Sequence, residues 1–93
     1  MDSIRISIIQ TDIVWENKQE NLRLLHEKLQ NLRGTTEIVV LPEMFSTGFS
    51  MQSQLLAEPN SGETITILKQ WASRYGIAIC GSYIAIDNGQ FYN

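Results

Sequence analysis

Apolar residues recur along this chain with two different periods. Ile4, Ile6 and Ile8 alternate with Arg5 and Ser7, and Ile9 adds a second apolar face, which is the pattern of a strand. From Glu16 to Arg33 the period lengthens. Leu22, Leu25, Leu29 and Leu32 fall at spacings of three, four and three, one stripe of a helix, while Glu20, Arg23, Glu27 and Gln30 take the opposite side. Gly34 stands where a left-handed cap would close that helix, with Arg33 favourably placed against the dipole. Ile38-Val39-Val40-Leu41 is a short unbroken apolar run, the pattern of a strand covered on both faces. Pro42 has no N–H for the ladder and ends it. Glu43 to Asn60 is irregular and rich in serine and threonine, yet it carries Met44, Phe45, Phe49 and Met51. A loop with so many large apolar groups is expected to pack down onto the fold. A second helix opens at Ser61 or Gly62 and runs to about Tyr75 on the stripe Ile65, Leu68, Ala72 and Tyr75, with Gly76 at its end. Ile77 to Ile86 reads as one strand, Asp87-Asn88-Gly89 as a hairpin turn, and Gln90-Phe91-Tyr92-Asn93 as the opening of another strand.

The order β-α-β-loop-α-β-turn-β predicts an α/β fold in which helices cross over a mostly parallel sheet. No internal repeat, linker or low-complexity stretch interrupts it. Because Asn93 follows a turn and three residues of a strand, the 93 residues read as the first part of a longer α/β domain.

Composition narrows the function classes. Hydrophobic residues make up 43% and charged residues 18%, too apolar for a disordered tail. No stretch approaches the roughly 18 apolar residues of a membrane-spanning helix. Met1-Asp2-Ser3-Ile4-Arg5 lacks the basic and then apolar regions of a secretory leader. Seven basic and ten acidic residues give a net charge of -3. Lys18, Arg23, Lys28 and Arg33 interleave with Glu16, Glu20 and Glu27 as a solvated, mixed-sign helix face, so nucleic acid, which needs a clustered basic surface, is not an expected partner. The single cysteine, Cys80, forms neither an internal disulfide nor a multi-cysteine zinc site, and a reducing, cytoplasmic setting is expected.

In a parallel α/β sheet, ligands gather outside the carboxyl ends of the strands. Leu41-Pro42-Glu43 sets a carboxylate at that edge. Leu41, Met44 and Phe45 beside it would tend to strip water from the group, a setting that suits a general base; the alternative is an acid at an exposed turn. The other chemistry-bearing side chains read as structural. Cys80, between Ile79 and Gly81, is expected to be a buried small hydrophobe. Lys69 is expected to be solvated, His26 to sit at a helix boundary, and Trp15, Trp71 and Tyr75 to serve in packing.

The segment Leu41-Pro42-Glu43-Met44-Phe45-Ser46-Thr47-Gly48-Phe49 resembles the glutamate motif of the nitrilase, or carbon–nitrogen hydrolase, superfamily. Ile6 to Asp12, Trp15 and Asn21-Leu22 are similar to the family's first strand and helix. Trp71-Ala72, Tyr75-Gly76-Ile77 and Gly81-Ser82-Tyr83 are similar to its second helix and third strand, and Tyr92-Asn93 to its next strand opening. Pro42 to Phe45 with Thr47 to Met51 looks most like the omega-amidase branch, which hydrolyses the terminal amide of small dicarboxylic acid monoamides. The resemblance implies that residues 1–93 are the N-terminal portion of a single carbon–nitrogen hydrolase domain, an α-β-β-α sandwich. It also implies a cysteine nucleophile, a glutamate base and a lysine, no metal or organic cofactor, and a small amide as substrate. Glu43 matches the glutamate. Phe45, Thr47 and Phe49 would wall the substrate pocket, unless the two phenylalanines simply anchor the loop. Related enzymes dimerise through outer helices, so the full-length protein is expected to be a homo-oligomer. The family's lysine and cysteine lie on later strands, beyond Asn93. The 93 residues alone are therefore expected to leave apolar surface bare and to hydrolyse nothing. The competing expectation is a non-catalytic truncated α/β binding or assembly module, in which Glu43 transfers no proton.

Overall fold

The computed structural model describes residues 3–93; Met1 and Asp2, on which part of the leader reading rests, lie outside them. The elements in order are β1 (Ile6–Ile8), α1 (Lys18–Leu32), β2 (Ile38–Val40), α2 (Ser53–Leu56), α3 (Glu63–Tyr75), β3 (Ala78–Cys80), β4 (Ala85–Asp87) and β5 (Gln90–Tyr92). Helix α1 starts at Lys18 rather than at Glu16 as expected, because Asn17 caps it by accepting the Glu20 N–H at 3.1 Å. Helix α3 ends as anticipated: Gly76 adopts φ 65°, ψ 39° and closes the last turn.

Strands β1, β2 and β3 form one parallel sheet with β2 in the centre. The register aligns Ser7, Val39 and Ile79 on one face and Ile8, Val40 and Cys80 on the other. Period-two alternation then sorts the side chains. Ile9, Val39, Leu41 and Ile77 join Leu22, Leu25, Leu29 and Tyr75 in a core beneath the helices, with Leu32, Leu68 and Trp71 packed at its border. The opposite face carries no helix among the described residues, and Ile4, Ile6 and Ile8 stand open, Ile8 at 74% exposure. This is the bare apolar surface the sequence led us to expect.

That one-sided cover corrects two expectations. Strand β2 is not covered on both faces: Val39 is buried but Ile38 and Val40 are only half-buried. Cys80 is exposed rather than a core hydrophobe, since it pairs in register with Val40 on the open face.

Two local features also differ. Ile77 to Ile86 is not one strand. β3 ends at Cys80, and at Gly81 the backbone lies so close to Leu41 and Phe45 that a Cβ would stand 3.2 and 3.3 Å from them. The chain leaves the sheet at this point and β4 pairs antiparallel with β5 across a turn in which Asn88 and Gly89 both take positive φ, as the Asn-Gly signal indicates. Within the irregular segment lies the four-residue helix α2, which no periodicity announces. Among the described residues no helix is long and apolar enough to cross a membrane.

Leu29 is fully enclosed at 0% exposure. Truncating it by Leu29→Ala should lower unfolding free energy by about 2–5 kcal/mol in urea titration. A loss below about 1 kcal/mol would mean the helix–sheet core is not where the stability resides.

Candidate active site

The central strand ends at a defined rung. Leu41 N–H donates to the Cys80 carbonyl at 2.8 Å, and Pro42 then offers no N–H for another. The chain turns immediately. Met44 takes φ 52°, and its carbonyl accepts the Thr47 and Gly48 N–H groups at 3.3 and 2.8 Å. Phe45, 4% exposed, turns back into the core, and the missing side chain of Gly81 makes room for it. The Met44 N–H donates to the Ser82 hydroxyl at 2.9 Å.

A buried amide holds this turn against helix α1. Asn21 lies one turn before Leu25 on the core stripe, and its side chain meets three backbone groups. Its Oδ1 accepts the Val14 N–H at 2.7 Å, and its Nδ2 donates to the Val14 and Ser46 carbonyls, both at 2.8 Å. The loop before α1 and the loop after β2 are thereby stitched to one side chain. Glu16 adds a second stitch: its N–H donates to the Thr47 carbonyl at 2.8 Å, and its carboxylate accepts the Ser50 hydroxyl. Trp15 lies over Gly48, whose φ of +80° and closeness to the indole, 2.9 Å from where a Cβ would stand, leave room for no other residue. Trp15 is otherwise 59% exposed, so it shields a loop rather than filling the core.

Glu43 is exposed at the start of this turn. Its Oε2 accepts the Asn93 Nδ2–H at 3.1 Å. Leu41, Met44 and Phe45 are themselves buried, so among these residues they do not desolvate the carboxylate as the sequence suggested. The backbone turn sends consecutive side chains in opposite directions. Next to Glu43, a hollow of about 190 Å³ is lined by Met44, Ser50, Ile84, Phe91 and Asn93. A larger hollow of about 540 Å³ lies elsewhere, between α1 and the open edge of β1, and marks an unpaired edge rather than chemistry.

Of the other expected pocket residues, Phe45 and Thr47 face inward and anchor the loop, whereas Phe49 is 64% exposed. Lys69 is exposed, as anticipated. His26 stacks on Trp71 with ring centroids 4.6 Å apart and lies 2.6 Å from the Tyr75 hydroxyl, a boundary role between α1 and α3.

Glu58 was not singled out from sequence, yet it is only 8% exposed. Its carboxylate accepts the Thr64 N–H at 2.8 Å and the Thr64 hydroxyl, and pairs with Lys18 Nζ at 2.9 Å. Its backbone bridges to strand β4. Gly62 must lack a side chain because a Cβ there would stand 2.9 Å from Glu58. Burial pushes the Glu58 carboxyl up, but the Thr64 hydrogen bonds and the Lys18 ammonium outweigh it and hold the group below the usual carboxylate range. The signal available in sequence was a glutamate between apolar Ala57 and Pro59, which is ambiguous by itself.

The carbon–nitrogen hydrolase family pattern matches residues 5–93. The chain belongs to the carbon–nitrogen hydrolase family. It is 35% identical over 82 residues to the omega-amidase YafV of Yersinia enterocolitica, covering 88% of this chain and 31% of that protein. It is 31% identical over 75 residues to an (R)-stereoselective amidase of a Pseudomonas species, covering 78% of this chain and 27% of the other. Its fold matches that of XC1258 from Xanthomonas campestris, a CN-hydrolase superfamily protein solved with an arsenic adduct in its active site. The TM-score is 0.93 and the identity 32%, over 100% of this chain and 35% of that one. The chain thus spans about a third of the length of these carbon–nitrogen hydrolases.

Replacing the buried amide by Asn21→Leu keeps the branched outline of the side chain but leaves the buried Ser46 carbonyl without its N–H donor. A buried orphan costs about 1–3 kcal/mol, so urea unfolding should show a loss in that range. Little or no change would remove Asn21 from its central place. For Glu58 the sign follows from its lowered pKa. Its stabilisation is present above the unfolded-state value and is lost as pH falls through the lower folded value. The urea midpoint of Glu58→Gln should therefore lie well below wild type at pH 7 and approach it at pH 3. A gap of equal size at both would sink the assignment.

Proposed function

We propose that this chain is the base-bearing, N-terminal portion of a single amidase domain that cleaves the terminal amide of a small dicarboxylic acid monoamide, in the manner of an omega-amidase. The observation that carries the reading is the position of Glu43. It stands one residue past Pro42 at the carboxyl end of the central strand, on a turn that Asn21, Glu16 and Phe45 fasten to the fold. The likeness to an omega-amidase across most of the chain supports the substrate class.

Glu43 would take the proton of a cysteine thiol supplied beyond residue 93, and the thiolate would attack the amide carbonyl. A lysine on a later strand would stabilise the oxyanion. Collapse expels the amine, which leaves as ammonia with the proton returned by Glu43. Glu43 then draws a proton from water, whose oxygen attacks the thioester and frees the acid and the thiol. Phe49, with its exposed ring, is suited to a pocket wall, while Phe45 and Thr47 support that wall from beneath. The route draws on side chains alone. A cytoplasmic homo-oligomer acting on a soluble small amide, with no part for nucleic acid, completes the proposal.

The exposure of Glu43 is the observation that favours the non-catalytic alternative, and one assay separates the two. In the full-length protein, Glu43→Gln should lower kcat for ammonia release from a four-carbon monoamide by about 10²–10⁴-fold. The isolated 93 residues should release none. Retention of near-wild-type turnover by Glu43→Gln would leave only a binding or assembly role.

A further inference from the structure

The hydrogen bonds around the turn reach Glu43 from two sides. Met44, the next residue, is held at φ 52°, a left-handed conformation that a bulky side chain adopts only when its surroundings impose it. The Met44 N–H donates to the Ser82 hydroxyl at 2.9 Å, a half-buried contact between residues 38 apart in sequence. Ser82 is delivered to that spot by the strand break at Gly81, where the backbone lies against Leu41 and Phe45. On the other side, Asn93 leaves strand β5 and donates its Nδ2–H to Glu43 Oε2 at 3.1 Å. One contact sets the backbone from which the carboxylate projects, and the other fixes one carboxylate oxygen and leaves its partner free.

We propose that Ser82 and Asn93 are positioning residues for Glu43, Ser82 through the Met44 backbone and Asn93 through the carboxylate itself. This inference rests on the amidase reading above. Ser82 stands just before the β4–β5 hairpin and Asn93 just after it, so the segment that leaves the parallel sheet after Cys80 brings one residue to the Met44 backbone and the other to the Glu43 carboxylate. An amide is a fitting partner because it donates a hydrogen bond to a carboxylate without supplying a proton that would quench a base.

The test uses the full-length protein and a four-carbon dicarboxylic acid monoamide, with ammonia release as readout and thermal unfolding as a check on folding. Ser82→Ala and Asn93→Ala should each lower kcat by about 10–100-fold while KM stays within about twofold, because orientation is lost and not substrate binding. Ser82→Thr keeps the hydroxyl and should recover most of the loss. Asn93→Asp places a second negative charge beside Glu43 and should be worse than Asn93→Ala. If both alanine variants turn over like wild type while Glu43→Gln is inactive, the positioning roles are wrong and the amidase reading stands. If Glu43→Gln itself stays active, the parent reading has failed instead. Should Ser82→Ala not fold, the exposed Asn93 carries the decision.

Discussion

The arrangement of this protein hinges on the side chain of Asn21, sealed in the core between helix α1 and the loop after the central strand. A carboxamide there is an expensive tenant unless each of its polar atoms finds a partner. It finds them in the backbone of Val14 and Ser46, groups that sit on loops with no ladder of their own. The exchange is mutual: the buried Ser46 carbonyl and the half-buried Val14 groups are satisfied, and the amide is bound from both ends. A leucine at this position would extend the apolar stripe and lose the connection. The turn bearing Glu43 is therefore fixed to helix α1 as firmly as to the sheet.

Around that fixed point the sheet is covered on one side. Helices α1 and α3 lie over Val39, Leu41 and Ile77, and the isoleucines of β1 face away from them. The same register that buries Val39 leaves Cys80 open, since neighbouring positions on a strand point to opposite faces. The thiol on the strand next to the one that carries the candidate acid is thus turned to the face without a helix among the described residues, where it belongs to the sheet surface and not to the turn.

Glu58 shows the other way the fold uses charge. Its ion pair with Lys18 and its bonds to Thr64 fasten the start of α3 to the start of α1, while its backbone bridges to β4. Its carboxylate joins α1 to α3, and its backbone adds β4. The acid at the turn is arranged differently: Glu43 is exposed, and among the described residues its carboxylate accepts one hydrogen bond, from the Asn93 amide, so it holds no part of the fold as Glu58 does.

Much of this was legible without coordinates. The leucine stripe, the Pro42 stop, the Gly76 cap and the Asn-Gly turn are local rules, written in spacing and backbone preference, and the resemblance to carbon–nitrogen hydrolases was carried by contiguous motifs. What local rules could not supply was which face of a strand would be covered. An unbroken run such as Ile38 to Leu41 looks the same whether one layer or two lies against it, and so Cys80 was misplaced. Nor could spacing show that β3 stops at Cys80, or that Gly81 lies against Leu41 and Phe45, some forty residues earlier. The Ser46 partner of Asn21, the Lys18 partner of Glu58, and the partners of Ser82 and Asn93 are likewise far along the chain. The sequence by itself determined the two long helices, the strands that precede and follow them and the acid at the strand end, because those follow from neighbours within a few residues. Only the tertiary structure decided how that acid is held and what surrounds it, because hydrogen bonds and close packing are set by distance in space.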